Sequence, residues 1–472
     1  MNFLPVLLWS DALVWLLVLA AIVFGHLSWR RPPSRAAWRR VGASRPGMAA
    51  ATVLAAFVLI GLLDSLHYRP RLAESPADQS VAYGVEVRSV LDALAAPLRL
   101  HSERTYSAPF ATRAYAKETL EVPTGDGRVK TVRDFPRLKY GGAHLGENEA
   151  GRNGDVASRA LAAVALAGLI FVALAAVVAK VLSRRTGQAF ASTWRTLWRG
   201  ETGFAWNAVL ATVGVLLVVA LPILALCGDY HVFGTDKVGQ DVLYQVLKSV
   251  RTALVIGLVT TLVTLPVAIG LGILAGYFRG WVDDAIQYLY TTLSSIPGVL
   301  LIAAAMLMMQ VLIDTHAQWF GTAAERADLR LLALCFILGL TSWTSLARLL
   351  RGETLKLREL EYIQAAQAFG VADLTILRRH VLPNLMHIVI ISLVMDFSGL
   401  VLAEAVLSYV GIGVDPTMIS FGTMINNARM ELSREPAVWW SLAAAFVFMF
   451  ALVLAANLLA DAVRDAFDPR IS

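Results

Sequence analysis

The residues of this 472-residue chain best placed to do chemistry are ionisable groups lodged in apolar runs. Asp396 and Glu404 fall in one such run and Arg251 in another. An ionised side chain at membrane depth costs a few kcal/mol or more unless it faces water or a partner. At i and i+8 the two acids sit roughly 80° apart on a helix, so both could face one interior wedge. Two readings stay open. They line a polar cavity, or Glu404 pairs with Arg251, on one side; on the other, they tie helices together near the outer boundary. Covalent chemistry has no comparable foothold. There is no H-E-x-x-H, no G-x-S-x-G, and no Gly-Lys dipeptide anywhere, so no P-loop cradles a nucleotide phosphate. Cys227 and Cys335 each lie in an apolar run without a second cysteine nearby, which reads as small buried hydrophobes. His101 and His144 lack the local spacing of metal ligands. No catalytic, cofactor-binding or metal-ligating residue is expected, and any uphill transport must draw energy from an ion gradient or another polypeptide.

The scaffold holding these groups is apolar. Hydrophobic residues make up 57% and charged residues 16%, against about 45–50% and about 25% in soluble proteins, and the mean hydropathy is +0.61. So few charges cannot cover a water-facing surface, which excludes a disordered chain, a disulfide scaffold and an ordinary soluble enzyme. Nine stretches reach the roughly 20 residues that about 30 Å of hydrocarbon requires: 6–27, 48–66, 158–182, 205–227, 249–276, 285–313, 329–350, 386–412 and 437–460. Pro222, Pro266 and Pro297 fall inside them, which neighbouring helices can tolerate. The first stretch lacks a basic leader and a small-residue cleavage site, so it reads as a span.

Basic residues orient the spans. The 26–47 stretch carries Arg30, Arg31, Arg35, Arg39, Arg40 and Arg45 and no acid. Arg184, Arg185, Arg195 and Arg199 follow the third span, and Arg351, Lys356, Arg358, Arg378 and Arg379 fill the loop after the seventh. Nine spans put these loops and the C-terminus in the cytoplasm, with the N-terminus outside. Parity places 67–157 outside too, as a small α+β domain. Within it a helix is expected over 81–98, and a hairpin of 119–122 with 128–132 around Thr124-Gly125-Asp126-Gly127. Over 185–204, Phe190, Trp194, Leu197 and Trp198 share a helical face flanked by Arg195 and Arg199. Such a helix lies in the headgroup plane, which makes membrane lipid a partner.

The loop 351–385 is too long and too patterned for a turn. Residues 359–369 are good helix formers, Gly370 supplies a left-handed cap, and Asp373 is a plausible N-cap for a second short helix that Pro383 stops. Two short helices about a glycine turn make a knob, and small Ala365 and Ala366 admit a close partner backbone.

This loop resembles the EAA loop of binding-protein-dependent ABC importer permeases: E-A-A, three residues, Gly, nine residues, I-x-L-P. Here the pattern reads Gln364-Ala365-Ala366, Gly370, then His380-Val381-Leu382-Pro383. Gln replaces the Glu and His replaces the Ile. Other segments look like the dipeptide and oligopeptide branch: Phe233-Gly234-Thr235-Asp236, Gly276-Tyr277-Phe278-Arg279-Gly280, Ser295-Ile296-Pro297, Glu404-Ala405-Val406-Leu407-Ser408, and the tail from Asp461 to Arg470. The resemblance covers about 185–472 and matches the C-type subunit. The family has Arg where Gln240 stands and Ser-Arg where Tyr244-Gln245 stand.

The resemblance implies an all-α polytopic membrane protein of the bacterial inner membrane, its N-terminus periplasmic and its C-terminus cytoplasmic. A six-helix ABC importer permease core at 205–472 follows two N-terminal spans in 1–66, the exterior domain at 67–157, a third span at 158–184 and the interfacial helix at 185–204. It implies a non-catalytic permease subunit for dipeptides or oligopeptides, in which Gln364, Ala365, Ala366, Gly370, His380, Leu382 and Pro383 couple to separate ATPases through 361–383. Its partners would be a homologous second permease subunit, two ABC ATPase subunits holding ATP and Mg, and a periplasmic peptide-binding protein. No nucleic-acid partner is implied. A stand-alone secondary transporter or channel is the alternative, distinguished by internal symmetry, and no repeat is visible. An intramembrane enzyme lacks its motifs.

Overall fold

A computed structural model describes residues 3–30, 32–71, 83–123, 129–146 and 149–467. The hairpin tip at 124–127, Val81 and the last residues of the family-like tail lie outside them. Among the described residues nine helices are long and apolar enough to cross a membrane.

The chain opens with β1 (Phe3–Val6), the long α1 (Trp9–Arg30), α2 (Pro32–Ala43) and α3 (Arg45–Asp64). A module follows: β2 (His67–Pro70), β3 (Arg88–Ser89), the short α4 (Val90–Leu94) and α5 (Ala96–Leu100), and β4 (Glu118–Pro123) with β5 (Val129–Asp134). Next come α6 (Arg152–Thr186), α7 (Phe190–Arg199) and α8 (Trp206–Leu226). The remainder is α9 (Val242–Phe278), α10 (Gly280–Ser295), α11 (Gly298–Thr315), α12 (Ala323–Arg358), α13 (Glu361–Ala368), α14 (Asp373–Ile376), α15 (Leu382–Val410), α16 (Phe421–Arg429) and α17 (Trp440–Phe467).

α9 and α12 form the spine of the molecule and run parallel. Gly339 meets Val263, Gly272 meets Ala347 and Leu350, and Gly276 meets Thr354 and the Arg351 carbonyl, at a constant offset along both chains. A Cβ on Gly276 would lie 2.6 Å from Thr354 Cβ and 2.7 Å from the Arg351 oxygen. The two backbones therefore touch where lipid-embedded helices associate through small residues. Around Trp343, Leu350, Ile363, Ile376, Val381 and Leu385 the core continues out of the bundle into the segment that follows α12.

The module is fixed to one end of the bundle. β1, β2 and β3 pair antiparallel, Phe3 opposite Pro70 and Val6 opposite His67, so the first strand of the chain completes a sheet whose other strands lie some sixty residues on. The β4–β5 hairpin forms in the expected place, Glu118 opposite Asp134 and Pro123 opposite Val129.

Three expectations are corrected. The helix over 81–98 begins only at Val90, because Ser89 and Asp92 close a capping box there, and Pro97 starts a separate helix. The span at 285–313 is two helices broken at Ile296, which takes the extended conformation (φ −90°, ψ 130°) that a following proline imposes. Pro222 and Pro266 do run inside helices. Finally, α7 has the expected helical face, but Leu197 is wholly buried in a cluster with α6 and α8 rather than offered to lipid. Phe190 and Trp198 stay exposed.

Candidate functional site

The segment after α12 folds as a knob with a buried back and a bare tip. Helix α13 closes through Gly370 at φ +75°. The Val371 N–H returns to the Ala366 carbonyl at 3.1 Å and the Gly370 N–H to the Gln367 carbonyl at 2.9 Å. No atom lies within 4 Å of a Cβ built on Gly370, so glycine stands there for its backbone angle and not for room. Ile363 and Ile376 pack wholly buried with Leu350, Val381 and Leu385. On the outside Phe369 is 87% exposed, Leu374 67% and Tyr362 45%.

Tyr277, at the end of α9, fastens the knob. Its hydroxyl donates to Asp373 at 2.6 Å and accepts from the Gln367 amide at 3.1 Å, and its carbonyl accepts from Arg358 at 2.6 Å. Arg279 pairs with Glu359 across the same junction. Arg351 grips Asp283 on α10 with two bonds of 2.6 Å, which hold that carboxyl below the usual range. Asp373 is therefore not the N-cap expected of it: Ala372 occupies that position and the carboxylate serves Tyr277.

Pro383 does not stop the second helix either. A π turn over Leu377–Val381 leads directly into α15, with Pro383 in its first turn. The wider turn absorbs the missing N–H and the crowding of the ring against the preceding carbonyls. The seven loop residues singled out above thus share one knob. Gln364 and Ala365 are exposed, Ala366 is half-buried against the core, and His380 sits with its ring centroid 6.0 Å from that of Tyr362. Leu382 packs inward and Pro383 faces out.

At the other end of α9 lies a buried charge cluster that the sequence reading only touched. Arg251 donates to Asp11 at 2.6 Å and to the Ser10 hydroxyl at 2.8 Å, and Asp11 bonds His67 at 2.7 Å. Asp328 accepts from the Ser10 backbone at 3.1 Å and from its hydroxyl. Lys248 bridges Asp64 at 2.6 Å and Asp92 at 3.1 Å. Glu404 is elsewhere: 1% exposed, it accepts from Ser408 at 2.6 Å and Ser420 at 2.9 Å. The Glu404–Arg251 pair is not formed, because α1 brings Asp11 to the guanidinium first. Nor do Asp396 and Glu404 share a wedge. Asp396 is exposed in a separate cavity with Thr261 and Ser342.

A second charged junction joins the module to the loop before α9. His231 lies between Asp241, at 2.8 Å, and Glu103, at 3.4 Å. Burial opposes charging the imidazole, but the two carboxylates prevail and raise it to about 9. Glu103 also accepts the N–H groups of Lys139, Tyr140 and Gly141 at 2.8, 2.8 and 3.1 Å. Against its own burial, His231 and these amides lower it to about 2.

A family model described as binding-protein-dependent transport system inner membrane component matches residues 268–472, which hold the last turns of α9, all of α12 and the whole knob. The glutathione transport system permease protein GsiD of Pectobacterium atrosepticum is 34% identical over 299 residues, covering 59% of this chain and 91% of that protein. This chain belongs to that family of inner membrane components. The oligopeptide transport system permease protein OppC of Mycobacterium tuberculosis is 32% identical over 242 residues, 51% of this chain and 77% of that one. The dipeptide transport system permease protein DppC of Bacillus subtilis is 25% identical over 299 residues, 59% and 85%. A chain of the inward-facing MetNI methionine ABC transporter aligns with a TM-score of 0.37 and 16% identity over 48% of this chain and 98% of that one.

The protein is thus a multi-pass inner-membrane permease, and its departures from the family wording have a structural use. Tyr244, where the family has Ser, donates to Asp92 of the module at 2.8 Å. Gln245, where the family has Arg, bonds Asp236 at 2.6 Å and Gln240 at 3.3 Å. The family model starts within α9, so α1 to α8 and the module lie outside it. Asp11, Asp64, Lys248 and Asp328 were missed as site residues. Their signal was present as charges inside or bordering apolar runs, but which charge meets which depends on chain segments hundreds of residues apart.

Proposed function

We propose that this permease is one of two membrane subunits of an ATP-driven importer of dipeptides or short oligopeptides and hydrolyses no ATP itself. The observation that carries the reading is the knob, an apolar tip of Phe369 and Leu374 left bare on a segment otherwise anchored to α9 and α12. Isolated exposed apolar residues are ordinary, but two large ones on a fastened turn mark an interface. Residues 351–385, with Gln364, Ala365, Ala366, Gly370, His380, Leu382 and Pro383, would seat in an ABC ATPase subunit carrying ATP and Mg. Closure of the two ATPases then pulls the knob, and α9 and α12 tilt as one body because their backbones are in contact at Gly272, Gly276 and Gly339.

The basic loops support a cytoplasmic knob and C-terminus, with the N-terminus and the 67–157 module periplasmic, where a peptide-binding protein would deliver cargo. A homologous second permease would complete the pathway. Peptide cargo is supported by the relatives, named for glutathione, oligopeptides and dipeptides. Family membership leaves the stand-alone transporter or channel without support.

The test is uptake of labelled Ala-Ala and Ala-Ala-Ala by a strain whose only peptide importer contains this chain, beside co-purification of the ATPases. Phe369→Asp should insert normally yet hold the ATPases at least roughly tenfold more weakly, since burying a phenylalanine contributes about 1.5–3 kcal/mol. Normal ATPase recovery and uptake with Phe369→Asp would remove the coupling role.

A further inference from the structure

Asp396 stands apart from the buried acids among the described residues. It lies midway along α15, it is exposed on the surface of the chain, and no described residue forms a hydrogen bond or ion pair with it. Asp11, Asp64, Asp92, Asp328, Glu103 and Glu404 all have partners. The cavity in front of it measures about 260 Å³; Thr261 and Thr264 of α9 and Ser342 and Ser345 of α12 form its polar wall, and the rest of its lining is apolar.

These groups come from the middle of three different spans, so they share one depth. A carboxylate facing hydrocarbon there would cost a few kcal/mol, and Ser342 and Ser345, one helical turn apart, put a second polar strip beside it. Such a face is stable only against water or a cation. Arg348, one turn beyond Ser345, does not supply that cation: its guanidinium bonds Ser294 at 3.2 Å and covers the Tyr290 ring at 5.0 Å.

We propose that the Asp396 carboxylate faces the translocation pathway and receives the α-ammonium group of the passing peptide, with Ser342 and Ser345 offering hydrogen bonds to its first amide. This rests on the peptide-importer reading above. Side chains differ from peptide to peptide, whereas the ammonium group and the amides recur in every one, so a site for these selects peptides without selecting sequence. A charge-assisted contact of this kind is also strong enough to discriminate.

The experiment compares uptake of labelled Ala-Ala-Ala and its N-acetyl derivative through the intact transporter carrying wild-type chain, Asp396→Asn or Asp396→Glu, with membrane levels and subunit co-purification measured alongside. The binding protein is the same throughout, so its own preferences cancel in the wild-type to variant ratio. Asp396→Asn should slow Ala-Ala-Ala at least roughly tenfold, the equivalent of one charged hydrogen bond, while the N-acetyl peptide changes less than about twofold and Asp396→Glu restores most of the rate. If N-acetyl uptake is too slow to measure in any form, the contrast between Asn and Glu on Ala-Ala-Ala decides. Equal slowing of both peptides, equal loss in Asn and Glu, or loss of co-purification with Asn would overturn the assignment, the last by showing that Asp396 pairs with the second permease. Absence of any peptide uptake by the wild type would instead overturn the importer reading.

Discussion

Replacing His231 by Gln should release the module from the bundle, and raising the pH should do the same in the wild-type protein. His231 is only 4% exposed at its side chain and is clasped by Asp241 and Glu103. Burial alone would lower its affinity for a proton, and the two carboxylates outweigh that, raising it from 6.5 to about 9. A pKa raised on folding means stability that is fully present below about pH 6.5 and is lost as pH climbs through about 9. At 1.36 kcal/mol per unit the rise amounts to roughly 3 kcal/mol. Glu103 has the opposite sign. Lowered from 4.5 to about 2, it contributes above pH 4.5 and loses that contribution as pH falls toward 2. The junction is therefore firmest between about pH 4.5 and 6.5 and loosens on the alkaline side. Hydrogen exchange of residues 102–115 in the purified protein, corrected for the intrinsic pH dependence, reads this directly. Protection should fall by up to roughly 100-fold between pH 6.5 and 9.5 and be low at both pH values in His231→Gln. Equal protection at both pH values in the wild type, or unchanged protection in the variant at pH 6.5, would refute the charged clasp.

Two further outcomes test the bundle. Gly276→Leu should separate α9 from α12, because its Cβ alone would lie 2.7 Å from the Arg351 carbonyl; the expected cost is about 1–3 kcal/mol of overpacking, read as a lower melting temperature in detergent and ATP hydrolysis no longer coupled to uptake. Asp11→Asn should leave the Arg251 guanidinium buried without its counter-ion, a loss of about 3–5 kcal/mol, seen as easier proteolytic separation of residues 1–64 from the remainder, whereas Asp11→Glu should retain much of the attachment.

The same buried charges explain how the N-terminal segment belongs to the permease. Asp11 and Asp64 come from α1 and α3, Asp92 from the module, and all three satisfy cations of α9. Removing residues 1–184 would strand Arg251 and Lys248, so the first two spans and the module are structural partners of the core and not an appendage beside it.

Local chemistry made much of this protein legible from its residues alone. Apolar length counts out the spans, because hydrocarbon thickness sets a minimum that few other segments meet. Gly370 announces its left-handed cap, since that backbone angle is cheap for glycine alone, and the β4–β5 hairpin follows from its own alternation. The knob was readable for the same reason: its helices, cap and family wording all lie within about 35 residues. Other features were decided only when distant segments met. Arg251 takes Asp11 and not Glu404, Asp373 serves Tyr277 and not its own helix, and β1 joins a sheet begun sixty residues later. Pro383 looked like a stop and became part of a continuous helix once a π turn absorbed it. Which partner a charge or a strand edge chooses is a matter of which groups the packed spans bring within about 3 Å, and spacing along the chain carries no record of that distance.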